Sequence, residues 1–464
     1  MLLSNLRVDG AAVDIRIENG LIVELGNLAG EGHDFGGRQV IPGLWDNHVH
    51  FSQWALQSQR LDLSAATSAR EVAEVVGQAV RVEPVGTLVG VGFRDGLWPD
   101  LPTVALLDAT TADVPVVLIS GDLHCVWANS AALALYGYET DGLLREEPAF
   151  DLTRAVGRVE DATLDAWART AGEAAAKRGV VGFADLEMDW NPDTWQRRMA
   201  GGFDTQRVEF AVYTQHLDRA VELGLRTGQA MGELLRVGRY KVLTDGSLNT
   251  RTAYCADPFP GTDNHGLLEI APDTLQARMR QAWQAGIEPT VHAIGDAALA
   301  VALDAFEATG ARGWVEHAQL VADSDLGRFA ALGVTASLQP EHAMDDRDVA
   351  DRYWAGRTGR VIPARSLRDA GARLAFGSDA PVAPLDPWVA MAAAVTRSRG
   401  GREPWHPEQR VTVAEALEAS TRSTVAVGQP ADLVVLDAEL TVTNLRTMPV
   451  HATLLAGRFT HLEA

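Results

Sequence analysis

Short apolar runs beginning at residues 40, 180, 208, 239, 288, 313, 333 and 373 alternate with helix-like segments. That alternation, more than any other feature, limits what the chain can fold into. The helix-like stretches include "TLQARMRQAWQAG", "DAALAVALDAFEATG" and "DSDLGRFAALG". Each carries apolar residues at helical spacing and ends at a glycine, the residue that most readily takes the left-handed conformation closing a helix. Strand, helix and strand in regular succession make parallel βα units. Eight of them predict an α/β fold of the (β/α)8, or TIM-barrel, type over residues 45–424.

Two features depart from that rhythm. About 130 residues separate the first run from the second, far more than one crossover needs. An insertion of about residues 55–150 is therefore expected after the first barrel strand, placed to form a wall or lid over the catalytic face. The two ends of the chain form the other exception. "AVDIRIENGLIVEL" alternates around Asn-Gly, a strong hairpin signal, and "HATLLAGRFTHL" places Ala-Gly between two strand-like runs. Residues 1–44 and 425–464 are accordingly predicted to form one small composite β-sandwich domain.

Composition narrows the partners. The chain has 464 residues, enough for a large barrel and a smaller domain. Its 40 basic and 62 acidic residues give a net charge of -22, which argues against nucleic acid. The two cysteines, Cys125 and Cys255, form no CxxC, are too few for a disulfide framework and suit a reducing, cytoplasmic setting. "MLLSNLRVDG" lacks a basic region followed by an apolar core, and no apolar stretch approaches a membrane span. A small-molecule substrate is expected, with a homo-oligomer left open.

Six residues stand at or near the ends of the strand-like runs: His48, His50, Lys241, His292, His317 and Asp379. Side chains from successive strand ends converge where a barrel holds its active site. Imidazoles plus a carboxylate suit a hydrolytic divalent metal, with zinc the expected ion. His48 and His50 are two apart, so both project to one face of a strand, with Asp46 on the same face as a supporting carboxylate. An ordinary core pair is the competing account. For His292 and His317 the alternative is a packed histidine capping a helix. For Asp379, read as ligand and proton shuttle, it is an N-cap before the segment after Pro381. Lys241 cannot ligate as an ammonium. A neutral, desolvated amine can take up carbon dioxide to give a bridging carbamate, while an ion pair with Asp245 or a contact to substrate stays open.

His124, His216 and His342 lie near segments that border such a pocket, although a bland role is equally compatible. The insertion is rich in large apolar groups, including Trp54, Phe93, Trp98 and Trp127. Most are expected in the insertion's own core. Trp98 and His124, with His342, are the expected substrate contacts. The chain contains no GxSxG, P-loop or GxGxxG.

The ordered set His-x-His, Lys, His, His, Asp resembles the amidohydrolase superfamily. The wording resembles its amidohydrolase-3 branch of YtcJ-like proteins. The carrying segments are "PGLWDNHVHF", "GDLHCVWANSAAL", "KVLTDGSLNTRTA", "HAIGDAAL", "VEHAQLV", "SLQPEHA" and "LAFGSDAPVAPLDP", with the closing "ADLVVLDAEL". The resemblance spans nearly the whole chain. It departs at Gly428-Gln429-Pro430, where the family usually has Gly-Lys. It implies a metal-bearing barrel, a terminal β-sandwich and an insertion after strand one. By that resemblance His48, His50 and Lys241 hold metal, His292 and His317 bind a second ion, and Asp379 is the general base.

Together these readings predict hydrolysis of a carbon–nitrogen bond other than a peptide bond, by a water that one or two metal ions activate. A deaminase or isomerase on the same scaffold is the rival among enzymes, and a non-catalytic binding protein the rival outside them.

Overall fold

The computed structural model describes residues 1–82, 86–93, 95, 98–120, 125–145 and 147–463. Eight parallel strands run in chain order around a nearly closed barrel: Leu44–Val49, Val180–Asp185, Arg207–Tyr213, Leu235–Leu243, Pro289–Ala293, Gly313–His317, Val334–Leu338 and Arg373–Phe376. Five of them are buried at every residue, as parallel strands covered on both faces must be. Helices such as Pro272–Gln284 and Asp296–Thr309 cover them, burying Leu275 and Met279, and Leu299, Leu303 and Phe306.

The first and last barrel strands meet through a short seam. Asp379 N donates to His48 O at 2.7 Å, and His50 N donates to Ala380 O at 2.8 Å. Asp46 Oδ1 accepts from Ser378 N at 2.9 Å and from His48 N at 3.1 Å. Gly377 allows this approach, since a Cβ there would lie 2.6 Å from His48 N. Asp46 thus supports the backbone beneath His48 rather than a ligand ring. Its burial pushes its pKa up to about 7.

Strands from both chain ends build one seven-stranded sheet. Its order is Arg458–Leu462, Val450–Leu455, Leu433–Leu436, His33–Pro42, Leu2–Val8, Ala11–Glu18 and Leu21–Gly26. At the Asn-Gly hairpin, Asn19 and Gly20 have φ of 50° and 76°, the left-handed pair a type I′ turn requires. Ala456 and Gly457 repeat the pattern at 50° and 76°. Leu3, Leu6 and Ile17 share a buried core with Leu433, Val435 and Leu454.

Ala55–Ala168 form a separate compact unit. It has its own five-stranded sheet, in the order Leu143–Arg145, Cys125–Ala128, Val116–Ser120, Leu88–Phe93 and Leu61–Asp62. Phe93 and Trp127 are fully buried in its core. Trp98, one of the expected substrate contacts, packs on the same cluster, its ring centroid 5.7 Å from Phe93. His124 lies outside the described residues. Among the described residues, no helix is long and apolar enough to cross a membrane.

The shared core makes the terminal sheet interdependent. Deleting residues 430–464 removes Leu433, Val435 and Leu454 from it, each worth roughly 1.5–3 kcal/mol when fully buried. Limited proteolysis should then cut the first 42 residues much faster than in the full chain. Unchanged protection would contradict this.

Candidate metal centre

The first barrel strand ends at Val49, and its alternation turns Asp46, His48 and His50 to one side. His48 is 1% exposed. Its Nε2 lies 3.2 Å from Asp379 Oδ1, and His50 Nε2 lies 3.3 Å from the same oxygen. The His317 ring centroid is 5.0 Å from that of His48 and 4.4 Å from that of His292. His48, His317 and Asp379 each offer a ligand atom, all within 4.8 Å of one another.

The electrostatics suit a cation. Burial lowers the pKa of His48, drives His317 well below its usual range and brings His292 to about 3, so these imidazoles stay neutral with lone pairs available. Burial alone would raise Asp379, but the neighbouring histidines hold it well below the usual carboxylate range. His50 follows the opposite course: burial disfavours its charge, yet the Asp379 carboxylate outweighs this and raises it.

Lys241 is 1% exposed, and its Nζ has no hydrogen-bond partner. Burial lowers its pKa. Asp245 does not answer it. That carboxylate accepts instead from the backbone N–H groups of Tyr254, Ile294 and Gly295 at 2.8–3.0 Å. His50 Nδ1, His317 Nδ1 and His342 Nε2 are likewise buried without partners. Buried polar atoms are rarely left so. Neutral imidazoles, one ionised carboxylate and an unpaired amine are the donor set a divalent ion would satisfy.

Two of these residues sit in strained backbone. His317 has φ 71° and Asp379 φ 57°, conformations that cost roughly 1–3 kcal/mol each outside glycine. The seam bond from Asp379 N to His48 O helps hold the second.

A cavity of about 450 Å³ opens onto the cluster. Lys241, His292, His342 and Asp379 line it, with Tyr213 and Gln319. His342 Nε2 is 3.9 Å from Asp379 Oδ2, so the structure brings this expected substrate contact to the site. His216 instead packs edge-on against Trp190 at 5.6 Å. A larger cavity of about 1160 Å³ is lined by Gln39, Trp314 and Arg422 and contains none of the six ligand candidates; size alone does not mark the chemistry.

Sequence reasoning missed Glu316. Its Oε2 lies 2.8 Å from His48 Nδ1, and its Oε1 accepts from Thr290 Oγ1 at 2.6 Å. Burial alone would raise its pKa, but its contact with His48 outweighs this and holds it at about 2. Strict strand alternation sends Glu316 and His317 to opposite faces. The left-handed φ of His317 breaks that alternation and lets both act at the site. Tyr213 was also missed, although it ends the third barrel strand. It is opposite Lys241 in the parallel register, and burial raises its phenol pKa.

A seamed eight-stranded barrel with imidazoles and a carboxylate at its strand ends defines a metal-dependent hydrolase class. The chain matches the amidohydrolase family over residues 31–461 and belongs to it. It is similar to the protein LONG AFTER FAR-RED 3 of Arabidopsis thaliana, at 29% identity over 89% of this chain and 79% of that one. It is also similar to the N-substituted formamide deformylase of Arthrobacter pascens, at 26% identity over 88% of this chain and 84% of that one. A solved structure from Pyrococcus horikoshii OT3, described as an uncharacterized metal-dependent hydrolase, superposes with TM-score 0.80. That likeness has 25% identity and covers 96% of this chain and 99% of that one.

Because Glu316 is the partner of His48 Nδ1, it should set that ring's orientation and basicity. Glu316→Gln keeps the shape and removes the charge. Calorimetric zinc titration should show affinity weakened by roughly 10–100-fold. Wild-type affinity in a folded variant would show that Glu316 does not support the ligand.

Proposed function

We propose that this amidohydrolase hydrolyses a carbon–nitrogen bond, other than a peptide bond, in a small neutral amide such as an N-formyl or N-acyl amine. The observation that carries the proposal is the position of Asp379. It is an ionised, buried carboxylate within 3.3 Å of two imidazole nitrogens, and it lines the cavity. His48, His50, His292, His317 and Asp379 would hold one or two divalent ions, zinc by preference, with Lys241 carboxylated as a bridge. Such an ion, when bound, lowers the pKa of water and polarises a carbonyl.

The protein's own part is proton handling and exclusion of water. Asp379 takes the proton from the attacking water and returns it to the departing amine, the exchange general acid–base catalysis requires. His342, beside it, contacts substrate. Met188, Leu243, Leu248, Ile294 and Val382 contribute apolar lining, which favours a neutral group over an unpaired charge. Gln319 Nε2 and Asn249 Nδ2 both donate to Asp346, at 2.8 and 3.1 Å, which ties three cavity-lining loops together. The similarity to the N-substituted formamide deformylase of Arthrobacter pascens supports the same class. Trp98 and His124 remain proposed substrate contacts from the insertion.

Two variants test this reading. Asp379→Asn should lower turnover of N-formyl amines by roughly 10²–10⁴-fold, the range for a general acid–base group. Native turnover with metal retained would assign the proton transfer elsewhere. Lys241→Ala should lose at least one of up to two ions when metal content is measured by mass spectrometry. Retention of the full wild-type complement would contradict the carboxylated bridge.

A further inference from the structure

Tyr213 ends the third barrel strand, Arg207–Tyr213, at the end of the barrel where the ligands converge. Its register partner across the parallel ladder is Lys241, and residues paired in a ladder project to the same face. The side chain is 3% exposed and lines the cavity with Lys241, His292 and Asp379. Its phenolic oxygen is buried and has no hydrogen-bond partner. The contrast with Tyr240 is direct. Tyr240 lies on the next strand, and its hydroxyl pairs with Thr214 Oγ1 at 3.0 Å. A buried hydroxyl left unpaired costs on the order of 1–3 kcal/mol. A position that holds one open at a cavity wall favours a ligand that supplies the partner.

We propose that Tyr213 is a catalytic residue that donates its hydroxyl hydrogen bond to the carbonyl oxygen of the substrate. This deepens the proposed function and rests on it. A fixed donor aimed at an oxygen becomes more valuable as negative charge develops there, because it needs no reorganisation at the moment of reaction. It also selects the substrate class. A carbonyl oxygen accepts from the phenol, whereas the amino-bearing carbon of a deaminase substrate presents N–H donors to the same position. The tyrosine therefore favours amides and formamides over amino-substituted rings. No proton passes through it. The hydroxyl donates in the ground state and still donates after the carbonyl carbon becomes tetrahedral, while Asp379 carries the proton.

The experiment compares wild type and Tyr213→Phe, both zinc-loaded, with metal content and thermal melting measured on each. On an N-formyl amine the variant should lose roughly 10²–10³-fold in kcat, the range for removing one such donor, with KM changed much less and metal content unchanged. On the matched N-thioformyl amine, whose sulfur is a poor acceptor, the loss should be far smaller. Formate binding by calorimetry provides an arm independent of turnover, and the variant should bind formate roughly threefold to tenfold more weakly. Should wild type hydrolyse no amide, the proposed function fails. The formate arm then still decides the tyrosine, and equal formate affinity in the two proteins overturns its role. Where amides are hydrolysed, equal kcat, an equal loss on oxo and thio substrates, or loss of metal in the variant would also overturn it.

Discussion

The join between the first and last barrel strands is the constraint on which the site depends. Parallel strands seven places apart in the barrel must meet edge to edge. Here they do so through His48 O, Ala380 O and the Asp46 carboxylate. The same few residues carry His48, His50 and Asp379. Closing the barrel and assembling these candidate ligands are thus one event. Gly377 is fixed by this need, since any side chain there would collide with His48.

Around the seam, charge is balanced locally. Glu316 on the sixth strand reaches His48 on the first, and Thr290 on the fifth holds Glu316. Burial keeps His292 and His317 neutral, while the neighbouring His48, His50, His317 and His342 outweigh burial and hold the Asp379 carboxyl low. Among the buried atoms without a hydrogen-bond partner, Lys241 Nζ, His342 Nε2 and the Tyr213 hydroxyl belong to residues that line the cavity.

The barrel was legible because parallel βα units impose a strong pattern. The run expected at residue 40 begins a strand only at Leu44, since Val40–Pro42 belong to the terminal sheet and Gly43 separates the two. One apolar run there serves two sheets, which periodicity alone cannot divide. The six ligand candidates were visible because each stands at or near a strand end. Glu316 was hidden by the left-handed turn at His317, a backbone conformation that residue types do not announce. Asp46 was placed on the correct face, but its role at the seam depends on a strand more than three hundred residues away. Lys241 was recognisable as unusual. Its isolation followed only once Asp245 was found bound to backbone amides.

Anomalous diffraction at the zinc edge from zinc-soaked crystals tests the central claim most directly. The account predicts a peak among His48, His317 and Asp379, with ligand distances near 2.0–2.2 Å. A second peak beside Lys241 would fit a binuclear centre. No peak at the strand ends, with zinc found only at the exposed Asp437, His451 and Glu463 group, would contradict it.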